Sequence, residues 1–315
     1  MNYAAGDMSN ARRAVVTGAF SYTGAAIARS LLARGFSVGT LTNRSIPVGD
    51  PGALDGAYPL QFHNRRALIE ALRGAEVFVN TYWVRYPYVG VGFDTAVRNI
   101  GVLLEAARDA GVQRIVHVSV SNPSVDSPLG YYRGKAHAEA LVRQLGLPYT
   151  IVRPTLVVGE NDILVNNIAW FLRRLPVFGM PGAGDYRLQP VTLEDTGEIV
   201  ADAALASGDA TIDAAGPDIV TFEELVRAIA AAIGREPRII HLPPALSLLF
   251  LRAAGQLVGE VILSREELAG LMSELLVSHE PPRGTHSVLD WLAAHGADAG
   301  RTYSSEFKRH VRLGR

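Results

Sequence analysis

The chain contains no cysteine, which excludes a disulfide framework, a thiol nucleophile and any thiolate metal site. It also lacks runs of like charge. Its 30 basic and 31 acidic residues leave a formal net charge of -1, so no electrostatic footprint marks it for nucleic acid or an anionic membrane. The eight histidines are scattered, without an HExxH pair, and no metal site is expected. The opening MNYAAGDMSNARR is polar and has no apolar core of the kind a secretory signal needs. The most apolar later stretch, ALSLLFLRAAGQLVGEVIL from Ala245, is interrupted by Arg252, Gln256 and Glu260. It reads as a buried or amphipathic helix, not as a membrane span. These absences favour a small-molecule partner and a reducing, cytoplasmic setting, and they leave the oligomeric state open.

What is present is apolar bulk and a rhythm. With 48% hydrophobic residues, 315 residues can bury a large core, as one enlarged domain or two unequal ones. ARRAVVTG predicts a strand and TGAAIARSLLARG a helix closed by Gly35, with Ile27, Leu31 and Leu32 on one face. SVGTLTN, LQFHN, EVFVNTY, RIVHVSVS and YTIVRPTLVVG follow as strands. RRALIEALRG, FDTAVRNIGVLLEAARDAG and YYRGKAHAEALVRQLG lie between them as helices. Buried strands alternating with covering helices predict an α/β fold with a doubly wound parallel sheet. The rhythm breaks after Gly159, where a loop-rich stretch precedes TFEELVRAIAAAIG, a helix opened by a Thr221/Glu224 capping box. The expected division is a nucleotide-binding domain over 11–158, to which 187–217 returns, and a smaller, mostly helical cap over 159–186 and 218–315. Ligands of such sheets sit beyond the carboxyl ends of the strands.

Three stretches at those ends carry chemistry. TGAFSYTG, Thr17 to Gly24, follows a strand and opens a helix, the context in which glycines bring backbone and helix dipole to a pyrophosphate. Gly18 suits the tight turn, and Gly24 allows the helix to pack closely on the sheet. Ser21 stands where a middle glycine is usual and adds a small hydroxyl able to bond phosphate; Phe20, Tyr22 and Thr23 complete the loop. The second strand ends in Asn43 and Arg44, where NAD-preferring loops place an acid on the ribose diol. With no carboxylate there, and a guanidinium that can grip a 2'-phosphate, NADP is expected, with NAD as the alternative. Ser119 and Ser121 end the fifth strand, and Tyr131 and Lys135 stand four apart at the start of a helix, hence on one face. A phenol of pKa about 10 is a poor acid or base near neutrality, and a nearby ammonium favours its ionised form. Lys135 therefore tunes Tyr131, Ser121 bonds a substrate carbonyl, and His117 is a core histidine. Tyr82, Trp83, Tyr86 and Tyr88 in the loop after the fourth strand supply rings for a weakly polar or aromatic substrate.

From Arg13 to about Tyr303 the chain resembles an atypical, extended short-chain dehydrogenase/reductase. It is most similar to the branch holding the nucleotide-binding accessory subunit of respiratory complex I and proteins called NAD-dependent epimerase/dehydratase. The likeness rests on TGAFSYTG, VNTYW, AGVQRIVHVSVSN, YYRGKAHAE, RPTLVVGEND, NNIAWFLRRLP and LQPVTLED. It implies a pyrophosphate loop at Gly18, Ser21, Tyr22, Thr23 and Gly24, and an adenine-side position at Asn64. It places Asn80 and Thr81 beside the ribose, with Tyr82 and Ser119 on the same cofactor edge. It gives Lys135 the nicotinamide ribose, Pro154 and Thr155 the carboxamide, and Ser121 and Tyr131 the catalytic roles. Only ten residues separate those two, and Leu156 replaces the asparagine common in the RPxN of sugar-nucleotide enzymes. An NADP-dependent oxidoreductase acting on a small carbonyl or alcohol is the first expectation. A non-catalytic dinucleotide-binding scaffold or redox sensor, and a sugar-nucleotide epimerase or dehydratase, are the alternatives.

Overall fold

Apolar runs rich in Val, Ile and Ala become buried strands in the computed structural model, which describes residues 12–44, 54–85, 87, 90–259 and 262–305. The order begins β1 (Arg13–Thr17), α1 (Tyr22–Ala33), β2 (Ser37–Thr42), β3 (Gly56–Pro59), α2 (Arg65–Leu72), β4 (Val77–Asn80), α3 (Phe93–Asp109), β5 (Arg114–Val118), α4 (Gly130–Gln144) and β6 (Tyr149–Pro154). It continues with β7 (Leu156–Val158), α5 (Ile163–Arg174), β8 (Val177–Pro181), β9 (Arg187–Leu188), β10 (Pro190–Thr192), α6 (Leu193–Leu205), β11 (Ala210–Ala214), β12 (Val220–Thr221) and α7 (Phe222–Ala232). The last described elements are β13 (Arg238–Leu242), α8 (Pro244–Val258), α9 (Arg265–Met272) and α10 (Val288–His295).

A seven-stranded sheet runs in the order β11-β6-β5-β4-β1-β2-β3. Its pairs from β3 through β6 are parallel, so the doubly wound expectation holds. The third strand is GAYP, not LQFHN: β3 pairs Gly56–Pro59 with Gly39–Thr42, and Leu60 onward is the turn into α2. YTIVRPTLVVG is two strands, because β7 leaves the sheet and pairs with β10 instead.

The chain divides into two units. The first comprises the described residues up to Ser119, Gly134–Val152 and Gly197–Thr211. Val15, Leu41, Phe78, Ile115 and Ile151 of its sheet pack with Leu68, Leu72, Ile100, Leu104 and Val142 of its helices, all fully buried or nearly so. The second comprises Val120–Arg133, Arg153–Thr196 and the residues from Ile212 onward. It has its own core, in which Met180, Leu188, Phe222, Leu225, Ile229 and Leu292 meet. The expected capping box opens α7: Thr221 Oγ1 accepts from Glu224 N–H, and Glu224 accepts from Thr221 N–H. The second unit is mostly helical, as expected, with α5, α7, α8, α9 and α10, and it also carries short strands. Strands of two to five residues pair two by two as β7 with β10, β9 with β12, and β8 with β13.

Candidate functional site

In the first unit the loop after β1 is shaped by its own backbone. Gly18 has φ +68°, a region that side chains disfavour, and its carbonyl accepts from Ser21 N–H at 2.7 Å. Gly24 is required more strictly: a Cβ there would lie 2.1 Å from the Gly18 carbonyl oxygen. The close approach that Gly24 permits is thus of the helix start to the loop itself and not to the sheet. Ser21 is the N-cap of α1, its Oγ accepting from Gly24 N–H at 3.2 Å. The serine in the middle-glycine place is therefore a working part, and accepting leaves its hydroxyl proton free to be donated. Thr40 braces the loop, donating to the Val16 carbonyl at 2.9 Å and accepting from Ala19 N–H at 3.0 Å. A turn with glycine at both close contacts, leading into the positive end of a twelve-residue helix, fits a pyrophosphate.

At the end of β2, Arg44 Nη1 donates to the Phe20 carbonyl at 3.2 Å, which holds the guanidinium against the same loop. Asn43 is a brace: its amide donates to the Leu60 carbonyl and accepts from Leu60 N–H, each at 3.0 Å. Asn64 caps α2, accepting from Ala67 N–H at 3.1 Å. Both amides stand where the adenosine end is expected and meanwhile secure the backbone there.

The ends of β4 and β5 form a buried polar floor. Thr81 N–H donates to Thr17 Oγ1 at 2.7 Å and Thr81 Oγ1 to the Thr17 carbonyl at 2.5 Å, tying β4 to β1 beside Gly18. Asn80 Oδ1 accepts from Tyr82 N–H at 3.1 Å, which fixes the amide so that Nδ2 donates to His117 Nδ1 at 3.1 Å. His117 is therefore neutral with its proton on Nε2. Burial drives its pKa down to about 3, in keeping with a core histidine. Tyr82 accepts from Asn99 Nδ2 at 2.9 Å and its ring packs on Phe62. Trp83 stacks on Phe93, while Tyr86 and Tyr88 lie outside the described residues.

Lys135 is 3% exposed, donates to the Val118 carbonyl at 3.0 Å, and holds its Nζ 4.8 Å from the centre of the Trp83 ring. Gly134 makes room for that ring, since a Cβ there would come within 2.9 Å of the indole. Burial lowers the lysine to a pKa of about 7, with Glu139 pulling the other way. The Ser119 hydroxyl is buried and has no hydrogen-bond partner among the described residues.

In the second unit Ser121 donates its hydroxyl to the Leu275 carbonyl at 2.6 Å, and Asn122, at φ +52°, donates to Leu275 and Val277. The proton expected to meet a substrate carbonyl is thus engaged. Pro154 accepts from Ser121 N–H at 2.9 Å, and Thr155 is buried, donating to the Gln189 carbonyl at 2.5 Å. Tyr131 packs edge-on against buried Tyr132. It begins α4, on which Lys135 follows four residues later. Sequence reasoning missed Thr17, Thr40 and the Trp83 contact to Lys135. Thr17 at the end of β1 was a visible signal, whereas Thr40 lies within β2 and the indole contact is long-range, and neither left one.

Residues 18–165 match a family model described as NAD(P)H-binding. A mitochondrial NADH dehydrogenase [ubiquinone] 1 alpha subcomplex subunit 9 of Arabidopsis thaliana is 28% identical over 61% of this chain and 50% of its own. Sterol demethylase protein B of Methylococcus capsulatus is 33% identical over 47% of this chain and 52% of its own. The chain thus spans about half the length of these curated relatives. Among solved structures, an NADPH-dependent quinone oxidoreductase from Escherichia coli shares the fold, with a TM-score of 0.72 at 19% identity, over 90% of this chain and 99% of that one. Residues 18–165 are thus similar to NAD(P)H-binding proteins, in keeping with NADP or NAD as the cofactor.

Proposed function

We propose that the protein is an NADPH-dependent reductase of an apolar ring ketone or quinone, with Tyr131 as proton donor and Lys135 as its tuning partner. The observation that carries the reading is Lys135, a buried lysine four residues after Tyr131 on α4 and bonded to the Val118 carbonyl at the end of β5. A surface lysine of a merely helical YxxxK would gain nothing from that burial. Gly18, Ser21 and Gly24 hold the pyrophosphate, Arg44 the 2'-phosphate, and Thr81 and Ser119 border the ribose and nicotinamide. Bound NADPH supplies the hydride. Lys135, when charged, favours the ionised phenol and so makes Tyr131 a better proton carrier near neutrality. Because Ser121 spends its proton on Leu275, Ser119 is the better donor toward a carbonyl oxygen. The sterol relative and the Tyr82 and Trp83 rings support an apolar substrate.

The test is NADPH oxidation across a panel of quinones, cyclic ketones and sterol ketones. Tyr131→Phe should lower turnover by roughly two to four orders of magnitude with NADPH affinity intact, while Ser121→Ala should leave turnover within about threefold. Full turnover in Tyr131→Phe would remove the phenol from the mechanism. The spent Ser121 proton also favours a second reading, a dinucleotide-binding scaffold. Tight NADPH binding with no response to any substrate would favour it.

A further inference from the structure

In the second unit, α8 keeps Leu248 and Leu251 half-buried on its inner side and still leaves bulky apolar residues facing water. It buries Ser247, at 2% exposure, and Gly255, while Leu246, Leu249 and Phe250 are 53%, 64% and 47% exposed. On a helical wheel these three share one arc, with Arg252 and Gln256 on its rim. The water-facing arc of a helix is ordinarily polar. Leaving three bulky apolar side chains together on the outer arc is favourable when something apolar covers them.

We propose that α8 is a lipid-docking helix: Leu246, Leu249 and Phe250 bed into the surface of a phospholipid bilayer, with Arg252 among the headgroups. Charge selects this occupant. From Pro243 to Gly259 the sequence holds no carboxylate and one cation, Arg252, so no anion stands between the apolar arc and the headgroup phosphates. Arg238, which opens β13, is also exposed and makes no ion pair among the described residues. Length selects the pose. Fifteen residues fall short of the roughly 20 that span a bilayer, and no helix among the described residues is long and apolar enough to cross one. The helix therefore lies in the interface plane, where apolar burial dominates and one cation adds a smaller attraction. The near-zero net charge is compatible with docking that is mainly apolar. The proposal deepens the reductase reading, since an apolar ring substrate partitions into the bilayer, but its test needs no turnover.

The experiment is co-sedimentation of the full chain with vesicles of phosphatidylcholine, and of an equal mixture with phosphatidylglycerol. Wild type should pellet with both, and more with the anionic mixture. The pair Leu249→Gln and Phe250→Gln should cut the bound fraction by about tenfold, with the NADPH titration and melting temperature unchanged. Arg252→Glu should weaken binding to the anionic vesicles alone. As a measurement that removes nothing, Phe250→Trp should gain fluorescence quenching by brominated lipid beyond that of wild type. Wild type remaining in the supernatant with both vesicles, or no added quenching at position 250, would overturn the proposal. So would a dimer that becomes monomeric in the glutamine pair without any vesicle binding. Vesicle binding without turnover on any substrate would instead overturn the reductase reading and leave the docking helix standing.

Discussion

Two serines, each in a turn that follows a sheet strand, use their hydroxyls in opposite senses. Ser21 accepts, from Gly24 N–H, and keeps a proton to give. Ser121 donates, to the Leu275 carbonyl, and has none left. The first turn, in the nucleotide unit, has donors ready for an anion. The second, in the other unit, is internally satisfied. The same residue type after the same kind of strand therefore says little about ligand chemistry until the sense of its hydrogen bond is known.

The sharpest way to break the first turn is Gly24→Ala. Its methyl would meet the Gly18 carbonyl oxygen at 2.1 Å, and backbone on both sides leaves no flexible end to yield. Loop and helix start must separate, which removes the Ser21 cap and the first-turn amides together. NADPH affinity should fall by at least about a hundredfold, equivalent to roughly 2.7 kcal/mol, as read by fluorescence titration, while Ser121→Ala leaves it unchanged. Intact binding in a folded Gly24→Ala protein would show that the turn does not hold the dinucleotide.

A second effect sharpens the comparison by asking what the ready polar groups cost. Burial lowers Lys135 from 10.5 to about 7, so between those values the unfolded chain holds a proton that the folded chain has released. Stability should accordingly rise with pH from about 7 to about 10.5, by up to a few kcal/mol, and be insensitive to this group below about 7. Urea unfolding of the dinucleotide-free protein across that range would show it. Lys135→Met should flatten the profile relative to wild type. Superimposable slopes for the two proteins would mean that the lysine is not buried in solution as it is here.

Local features were legible in the sequence and partner-dependent ones were not. TGAFSYTG announced its turn because its glycine spacing is a backbone requirement met within eight residues. The Thr221/Glu224 box announced α7 for the same reason. β3 was misplaced because GAYP has little apolar content. Its strand geometry comes from pairing with β2, whereas LQFHN looks more strand-like and forms a turn. The two- and three-residue strands of the second unit are too short to show a period. Asn43 and Asn80 stand at strand ends, whereas Asn64, expected to follow the third strand, caps α2. Their amides are nonetheless directed by Leu60, Ala67 and His117, and no spacing reveals such pairings. α8 was recognised as a helix, but which of its faces turned outward depended on what it packed against.

The smallest effect decides between the two dinucleotides and rests on Arg44. Its guanidinium is held at the loop by the Phe20 carbonyl, and its backbone N–H is fixed by Thr42 Oγ1 at 3.0 Å, so both ends of the side chain are placed before any ligand arrives. The neighbouring Asn43 is occupied with Leu60 on both its donor and acceptor sides, which makes it a support for the strand ends and a weaker candidate for direct recognition. A charge-assisted hydrogen bond to a 2'-phosphate is worth roughly 1.5 to 3 kcal/mol. Arg44→Ala should therefore weaken NADPH by about ten- to a hundredfold and leave NADH almost unchanged, since a ribose hydroxyl presents no charge to grip. Arg44→Lys should recover only part of the loss, because an ammonium lacks the planar fork. Raising the salt concentration should erode the wild-type preference and have little effect on Arg44→Ala, as screening acts on the charged pair alone. Equal weakening of both dinucleotides would assign Arg44 to shaping the loop through Phe20, and tighter binding of NADH than NADPH by wild type would make the protein NAD-preferring.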